Sequence, residues 1–139
     1  MNGAPLSTKL FIHFDDGDPG GIMFFPNYFR LSERAFELAL VEDGVDWREW
    51  FDHPQWAVPL RHVEAEYRRP LTPGQFCRVD QCVARLGQTS VTLNSDFFDQ
   101  AGNPCATVTT THVFIDRKTM KSRPIPDALR RLLEGKMAK

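Results

Sequence analysis

Asp15, Asp16 and Asp18 stand close together among Gly17, Pro19, Gly20 and Gly21, directly ahead of Phe24, Phe25 and Tyr28, in the stretch FDDGDPGGIMFFPNYF, residues 14 to 29. An ionised carboxylate can attack a carbonyl carbon or draw a proton from water. Either route needs donors for the oxygen that becomes negative. A bent backbone can supply such donors, and aromatic side chains can wall an apolar group beside them. Asp-Pro and Gly-Gly are also ordinary turn chemistry, so at the level of residues Asp18 is either a reacting acid or a turn residue. Asp15 and Asp16 read as solvated or loop-bonding groups. His13 and His62 fall in strand-like segments with no Ser or Cys motif beside them, and read as structural. Cys77, Cys82 and Cys105 lack any CxxC spacing and read as reduced packing residues, neither disulfides nor metal ligands.

The elements that must carry these residues follow from hydrophobic period. Residues 8 to 14, TKLFIHF, predict a first strand, and the loop after it runs to Pro26. From Asn27 to about Asp43, Tyr28, Leu31, Ala35 and Leu38 recur at helical spacing, with Phe29, Phe36, Ala39 and Leu40 widening the stripe. Asn27 is placed to cap this helix and Gly44 to end it. Residues 45 to 56 mix Pro, Trp and charge without a period, and predict an irregular connection with at most a short helical turn. After Pro59 the period becomes two, with Val63, Ala65 and Tyr67 opposite His62, Glu64 and Glu66. PLTPGQ predicts a turn; 75 to 86 and 88 to 99 predict strands meeting at Gly87-Gln88; 104 to 116 predicts another after DQAGNP; and a last helix begins at Pro126 or Asp127. In/out alternation at Val91, Leu93 and Phe97 and at Ala106, Val108 and Phe114 predicts an antiparallel sheet with one covered face. The other face must meet solvent or another subunit.

With 139 residues the chain predicts one domain, 1–139, of α+β class. Its net charge is −1 and its Lys and Arg are scattered, which argues against nucleic acid as a partner. No run approaches a membrane span and no basic leader opens the sequence, so the expected location is cytoplasmic. The element order fits the hotdog fold, a sheet wrapped around one long helix, as well as other α+β sandwiches.

DGDPGGIMFFPNYF resembles, without a gap, the signature of the 4-hydroxybenzoyl-CoA thioesterase family: Asp-x-Asp-Pro-x-Gly-Ile, apolar or aromatic residues, then Pro-Asn-Tyr. VPLRHVEAEYRRPLTPGQ and HVFID resemble later family strands more weakly. The resemblance implies a hotdog fold and hydrolysis of an acyl-CoA, aromatic by preference. It implies Asp18 as nucleophile or general base, the main-chain N–H of Phe25 as the carbonyl-polarising donor, and Gly21 and Phe24 against the substrate. Glu33 corresponds to an acid that contacts a substrate hydroxyl in the 4-hydroxybenzoyl branch, and Arg85 and Arg123 to basic CoA contacts. No metal or cofactor beyond the CoA of the substrate is implied, and a homo-oligomer, dimer or tetramer, joined edge to edge is expected. The rival reading is a non-catalytic acyl-CoA or aromatic-ligand binding protein. A hotdog dehydratase is a third, disfavoured because no His stands beside Asp18.

Overall fold

The computed structural model describes residues 6 to 138; residues 1 to 5, on which the reading of the N-terminus partly rests, lie outside the described residues. Leu6–Phe11 form β1, so the strand ends earlier than the expected residue 14. Asp16 bends the chain there into a 3-10 turn over Phe14–Asp16, its carboxylate accepting from the His13 N–H at 2.8 Å. The turn throws Phe14 outward, 93 % exposed.

Helix α1 spans Asn27–Glu42 and buries Tyr28, Leu31, Ala35, Phe36, Ala39 and Leu40, most of the stripe its spacing predicts, but Leu38, expected in that stripe, is exposed. Each large apolar side chain so buried contributes about 1.5–3 kcal/mol. The cap differs from expectation: Pro26, with φ fixed at −67°, precedes the helix, and Asn27 lies inside its first turn. The Asn27 side chain is turned back instead, its amide donating to Asp16 O at 2.8 Å. Gly44, at φ 89°, ends the helix by donating to Val41 O. A short helix, α2, follows at Trp47–Phe51, capped by the Asp46 carboxylate.

The strands are β2 (Trp56–Ala57), β3 (Leu60–Tyr67), β4 (Phe76–Leu86), β5 (Ser90–Phe98), β6 (Pro104–Val113) and β7 (Ile115–Asp116). A helix, α3, over Asp127–Glu134 closes the chain and packs Leu129 and Leu133 inward. β2 and β7 form a small ribbon, while the main sheet is antiparallel in the order β1-β4-β5-β6-β3. The four later strands therefore do not simply follow one another across the sheet. β3 pairs with β6, and residues 68–75 carry the chain back across the sheet to β4 rather than closing a hairpin. This is the hotdog arrangement, with α1 against the inner face.

Alternation is clean along β5. It fails at the end of β6, where Thr111, His112 and Val113 are all buried as the chain passes into the β2–β7 ribbon. Among the described residues β3 has no strand on its outer side, and of its eight residues Ala65 alone is half-buried. The core divides into one cluster around Tyr28, Leu31, Leu71, Val79 and Phe97 and another around Phe36, Trp50, Val83, Phe114 and Leu133. Ser32, Gln81 and Ser95 bond one another as a buried polar layer beneath α1. Among the described residues no helix is long and apolar enough to cross a membrane.

Candidate active site

Between β1 and α1 the chain makes a narrow loop. Gly17 bridges Met23, the Asp18 N–H donates to Ile22 O at 2.9 Å, and the Gly21 N–H donates to Asp18 O at 3.0 Å. Gly21 sits exposed at the tip with φ 82°, a left-handed conformation that costs other residues about 1–2 kcal/mol. The half-buried Asp18 carboxylate folds over this turn: Oδ1 accepts from the N–H groups of Gly20 at 2.8 Å and Ile22 at 3.4 Å. A Cβ on Gly20 would stand 3.1 Å from that oxygen. Oδ2 takes no hydrogen bond among the described residues. Asp18 thus has the turn role its sequence allows and also keeps one carboxylate oxygen available for chemistry.

The start of α1 lies just beyond the loop. The Phe24 carbonyl accepts from the Asn27 N–H at 2.9 Å, so the opposite side of that peptide, the Phe25 N–H, points away from the helix. It meets no acceptor among the described residues. A free donor at a helix start carries the positive end of the helix dipole and suits a developing oxyanion. Phe24 and Phe25 are 46 % and 60 % exposed and meet edge to face at 5.4 Å. The Tyr67 hydroxyl, from β3, donates to Phe25 O at 2.9 Å. A groove of about 340 Å³ runs beside Phe25, walled by Ile22, Tyr28, Tyr67, Arg68 and Arg69; Asp18 stands outside its lining. A larger open hollow of about 730 Å³, by Lys9, Phe76, Arg78 and Gly102, touches none of the loop's residues. Of the two, only the smaller groove has Phe25 in its lining.

The remaining expected residues are spread along the molecule. Glu33 lies half-buried on α1, its side chain with no hydrogen-bonding partner among the described residues; burial first, and the neighbouring Glu37 second, push its carboxyl above the usual range. Arg85 is exposed beside the bulge at the end of β4. Arg123 is half-buried, faces Asp116 at 3.8 Å, and lies over the Trp56 ring at 5.1 Å. Both arginines belong to the end of the sheet remote from Asp18. At about 3.4 Å per residue, Val113 is roughly 24 Å along β6 from Ala106, the partner of Tyr67. Within one chain, then, Asp18, Gly21, Phe24 and Phe25 come together and Arg85 and Arg123 do not. The three cysteines are unpaired, and burial pushes the Cys77 thiol up to about 11. His13 and His62 are exposed, His62 lying 3.7 Å from Glu64. Among the described residues no three His, Cys, Asp or Glu side chains are grouped to hold a metal ion.

Three participants escaped the sequence reading. The period of two places Tyr67 with Val63 and Ala65 on one face of a strand, and only the tertiary structure brings its hydroxyl to Phe25. Leu71, in the crossing segment, accepts from the Met23 N–H at 2.8 Å and donates to the Tyr28 hydroxyl at 3.2 Å. Of the two readings of Asp16, solvated or loop-bonding, the second holds, its carboxylate accepting from the His13 N–H; its burial and its ion pair with Arg30 are what the sequence did not signal. The fourteen-residue separation of that pair gave no local signal.

Comparison with known proteins gives a match over residues 12–133 to the family described as the thioesterase-like superfamily. A 1,4-dihydroxy-2-naphthoyl-CoA hydrolase of Thermosynechococcus vestitus is 31 % identical over 130 residues, covering 93 % of this chain and 89 % of that protein. A gentisyl-coenzyme A thioesterase of known structure superposes with a TM-score of 0.78 at 25 % identity, over 89 % of this chain and 98 % of that one. A thioesterase superfamily member from Jannaschia sp. CCS1, 24 % identical, gives a TM-score of 0.84 over 100 % of this chain and 99 % of its own, a likeness of fold.

Proposed function

The chain belongs to the thioesterase-like superfamily and is a thioester hydrolase, and on that premise we propose that it cleaves an aromatic acyl-CoA to the free acid and CoA, with Asp18 and the Phe25 N–H as its reacting and polarising groups. The observation that carries this reading is the unbonded Phe25 N–H, aimed outward at the start of α1 beside an aromatic groove. Relatives named for dihydroxynaphthoyl and gentisyl thioesters support the aromatic class.

The substrate carbonyl oxygen accepts from the Phe25 N–H. Oδ2 of Asp18 then either attacks the carbonyl carbon, giving an acyl anhydride that water opens, or takes a proton from a water that attacks. Both routes pass through an oxyanion held by the same donor. The carbon–sulfur bond breaks with the electron pair on sulfur, and a thiol of pKa about 8.5 leaves without strong acid assistance. Phe24 lies against the acyl ring, Gly21 lets the loop close on it, and Glu33 bonds a ring hydroxyl. No metal or further cofactor takes part.

Arg85 and Arg123 can serve this site only from a second chain. Antiparallel pairing of two β3 edges, which expose Leu60, Val63 and Tyr67, brings the loop of one protomer beside the remote end of the other, where those arginines receive the CoA phosphates. The enzyme is on this reading a homodimer, or a tetramer of such dimers. Its three unpaired cysteines suit a reducing compartment, the cytoplasm.

The test is thiol release from benzoyl-, hydroxybenzoyl-, dihydroxynaphthoyl- and short aliphatic acyl-CoAs, with wild type and Asp18→Asn. We expect turnover of an aromatic substrate and a loss of at least about 100-fold in the variant with binding retained. Saturable binding without thiol release by the wild type supports the binding-protein rival, and near-normal turnover in Asp18→Asn removes Asp18 from the mechanism.

A further inference from the structure

Every polar atom of Asp16 is engaged, although the side chain lies two residues before the reacting carboxylate and is 2 % exposed. Its N–H donates to His13 O at 3.1 Å, and its carbonyl accepts from the Phe24 N–H at 2.9 Å and from the Asn27 side-chain amide at 2.8 Å. Carboxylate Oδ2 accepts from the His13 N–H at 2.8 Å, and Oδ1 pairs with the Arg30 guanidinium. One residue therefore ties together the end of β1, the returning leg of the loop, and the first turn of α1.

We propose that Asp16 is the positioning residue of the site, setting the Asp18 carboxylate and the Phe25 N–H at a fixed separation. The inference rests on the reading of Asp18 and Phe25 given above. Asp18 follows Asp16 by two residues, and Phe25 follows the Phe24 N–H that Asp16 binds. Without the clamp of the Asp16 carboxylate, the hydrogen bonds of residues 17 to 23 and those accepted by Asp16 O remain, while the side-chain ties to His13 and Arg30 are lost and the base of the loop shifts relative to α1. Base and oxyanion donor then keep their own conformations and lose their alignment with each other, a loss that falls on the transition state rather than on ground-state binding. Arg30, 46 % exposed along its side chain, fixes the carboxylate from the helix side and acts through it.

The test compares Asp16→Asn, Arg30→Ala and Arg30→Lys with wild type in the full-length protein at a temperature well below each melting point. Readouts are kcat, KM and the Kd of a nonhydrolysable analogue of the acyl-CoA turned over fastest. Positioning predicts that Asp16→Asn and Arg30→Ala lower kcat by about 10- to 100-fold, below the full loss of an oxyanion donor, with KM and Kd within about threefold, and that Arg30→Lys recovers part of kcat. A scaffold role alone lowers the melting temperature and leaves kcat of the folded enzyme within about twofold of wild type, which overturns the proposal. Should Asp16→Asn not fold, the two Arg30 variants decide between these outcomes. Full kcat in Asp16→Asn beside a dead Asp18→Asn refutes the clamp alone; full activity in Asp18→Asn, or no turnover by the wild type, refutes the underlying reading and the clamp with it.

Discussion

His112 makes the enzyme's acid stability predictable. Its ring is 1 % exposed, packed near Phe36 and Trp50, with Nε2 at 3.1 Å from the Thr110 hydroxyl. Burial pushes its pKa down from 6.5 to about 4. Between those values the unfolded chain binds a proton that the folded chain refuses, so stability falls as pH falls. A separation of 2.5 units at 1.36 kcal/mol each amounts to about 3 kcal/mol by pH 4, of which about 2 kcal/mol is lost by pH 5. Glu33 acts in the opposite sense: its carboxyl is raised by burial and by Glu37, so the stability it contributes is present at low pH and lost as pH rises through its folded value. Asp99 and Asp116 are lowered from 3.8 by hydrogen bonds from their own turns, and matter only below this window. Urea unfolding followed by Trp fluorescence at pH 7.5, 6 and 5, at one protein concentration and in a Glu33→Gln background, isolates the imidazole. We expect a decline of about 2 kcal/mol from pH 7.5 to 5 and a nearly flat profile in His112→Gln, which retains a partner for Thr110. A background protein losing less than about 0.5 kcal/mol, or a His112→Gln profile as steep as its parent's, refutes the reasoning.

Two further outcomes concern the site. Tyr67→Phe removes the 2.9 Å bond to Phe25 O at a half-open position, so stability should change by less than about 1 kcal/mol while kcat falls about tenfold; unchanged turnover would show that β3 does not steady the proposed oxyanion donor. Gly21→Ala meets no neighbouring atom within 4 Å but must hold φ 82°, so it should cost about 1–2 kcal/mol in urea unfolding and reduce kcat through the displaced Asp18 turn; a variant as stable as wild type contradicts the left-handed turn.

Local physics made much of this molecule legible. The stripe from Leu31 to Leu40 and the alternation from Val91 to Phe97 each specify a buried face without reference to the rest of the chain. The turn around Asp18 was legible from its own residues because its bonds close within five residues, whereas the role expected of Asp18 came from the resemblance of the motif. What remained hidden was long-range. The pairing of β3 with β6 rather than β4 is not encoded in either strand's period, and PLTPGQ has the composition of a hairpin turn although it carries the chain across the sheet. Phe14 has strand propensity, yet the buried carboxylate of Asp16 turns the backbone before Phe14 can pair. Asn27 has the chemistry of a cap, but Pro26 already has the required φ, which leaves the Asn27 amide for Asp16 O.

That crossing also explains how so glycine-rich a loop can be stiff enough for catalysis. Because β3 and β4 lie on different sides of the sheet, the connection between them passes beneath the loop. There Leu71 O accepts from Met23, Ile12 and Gln75 bond through their backbones at 2.9 Å, and Pro73 Cγ lies 2.7 Å from where a Cβ on Gly17 would stand. A hairpin at the same place would turn away from the loop and leave those backbone groups to water. The base of the loop is therefore fixed by segments about sixty residues apart in sequence, roughly 12–16 and 71–75, whereas its tip at Gly20 and Gly21 stays exposed and touches only its own turn. Such a division suits the role proposed for Asp18, an acid aligned with a helix amide and leaving one oxygen free: rigidity is concentrated where that alignment would be set, and the conformational freedom of glycine where the proposed substrate would approach.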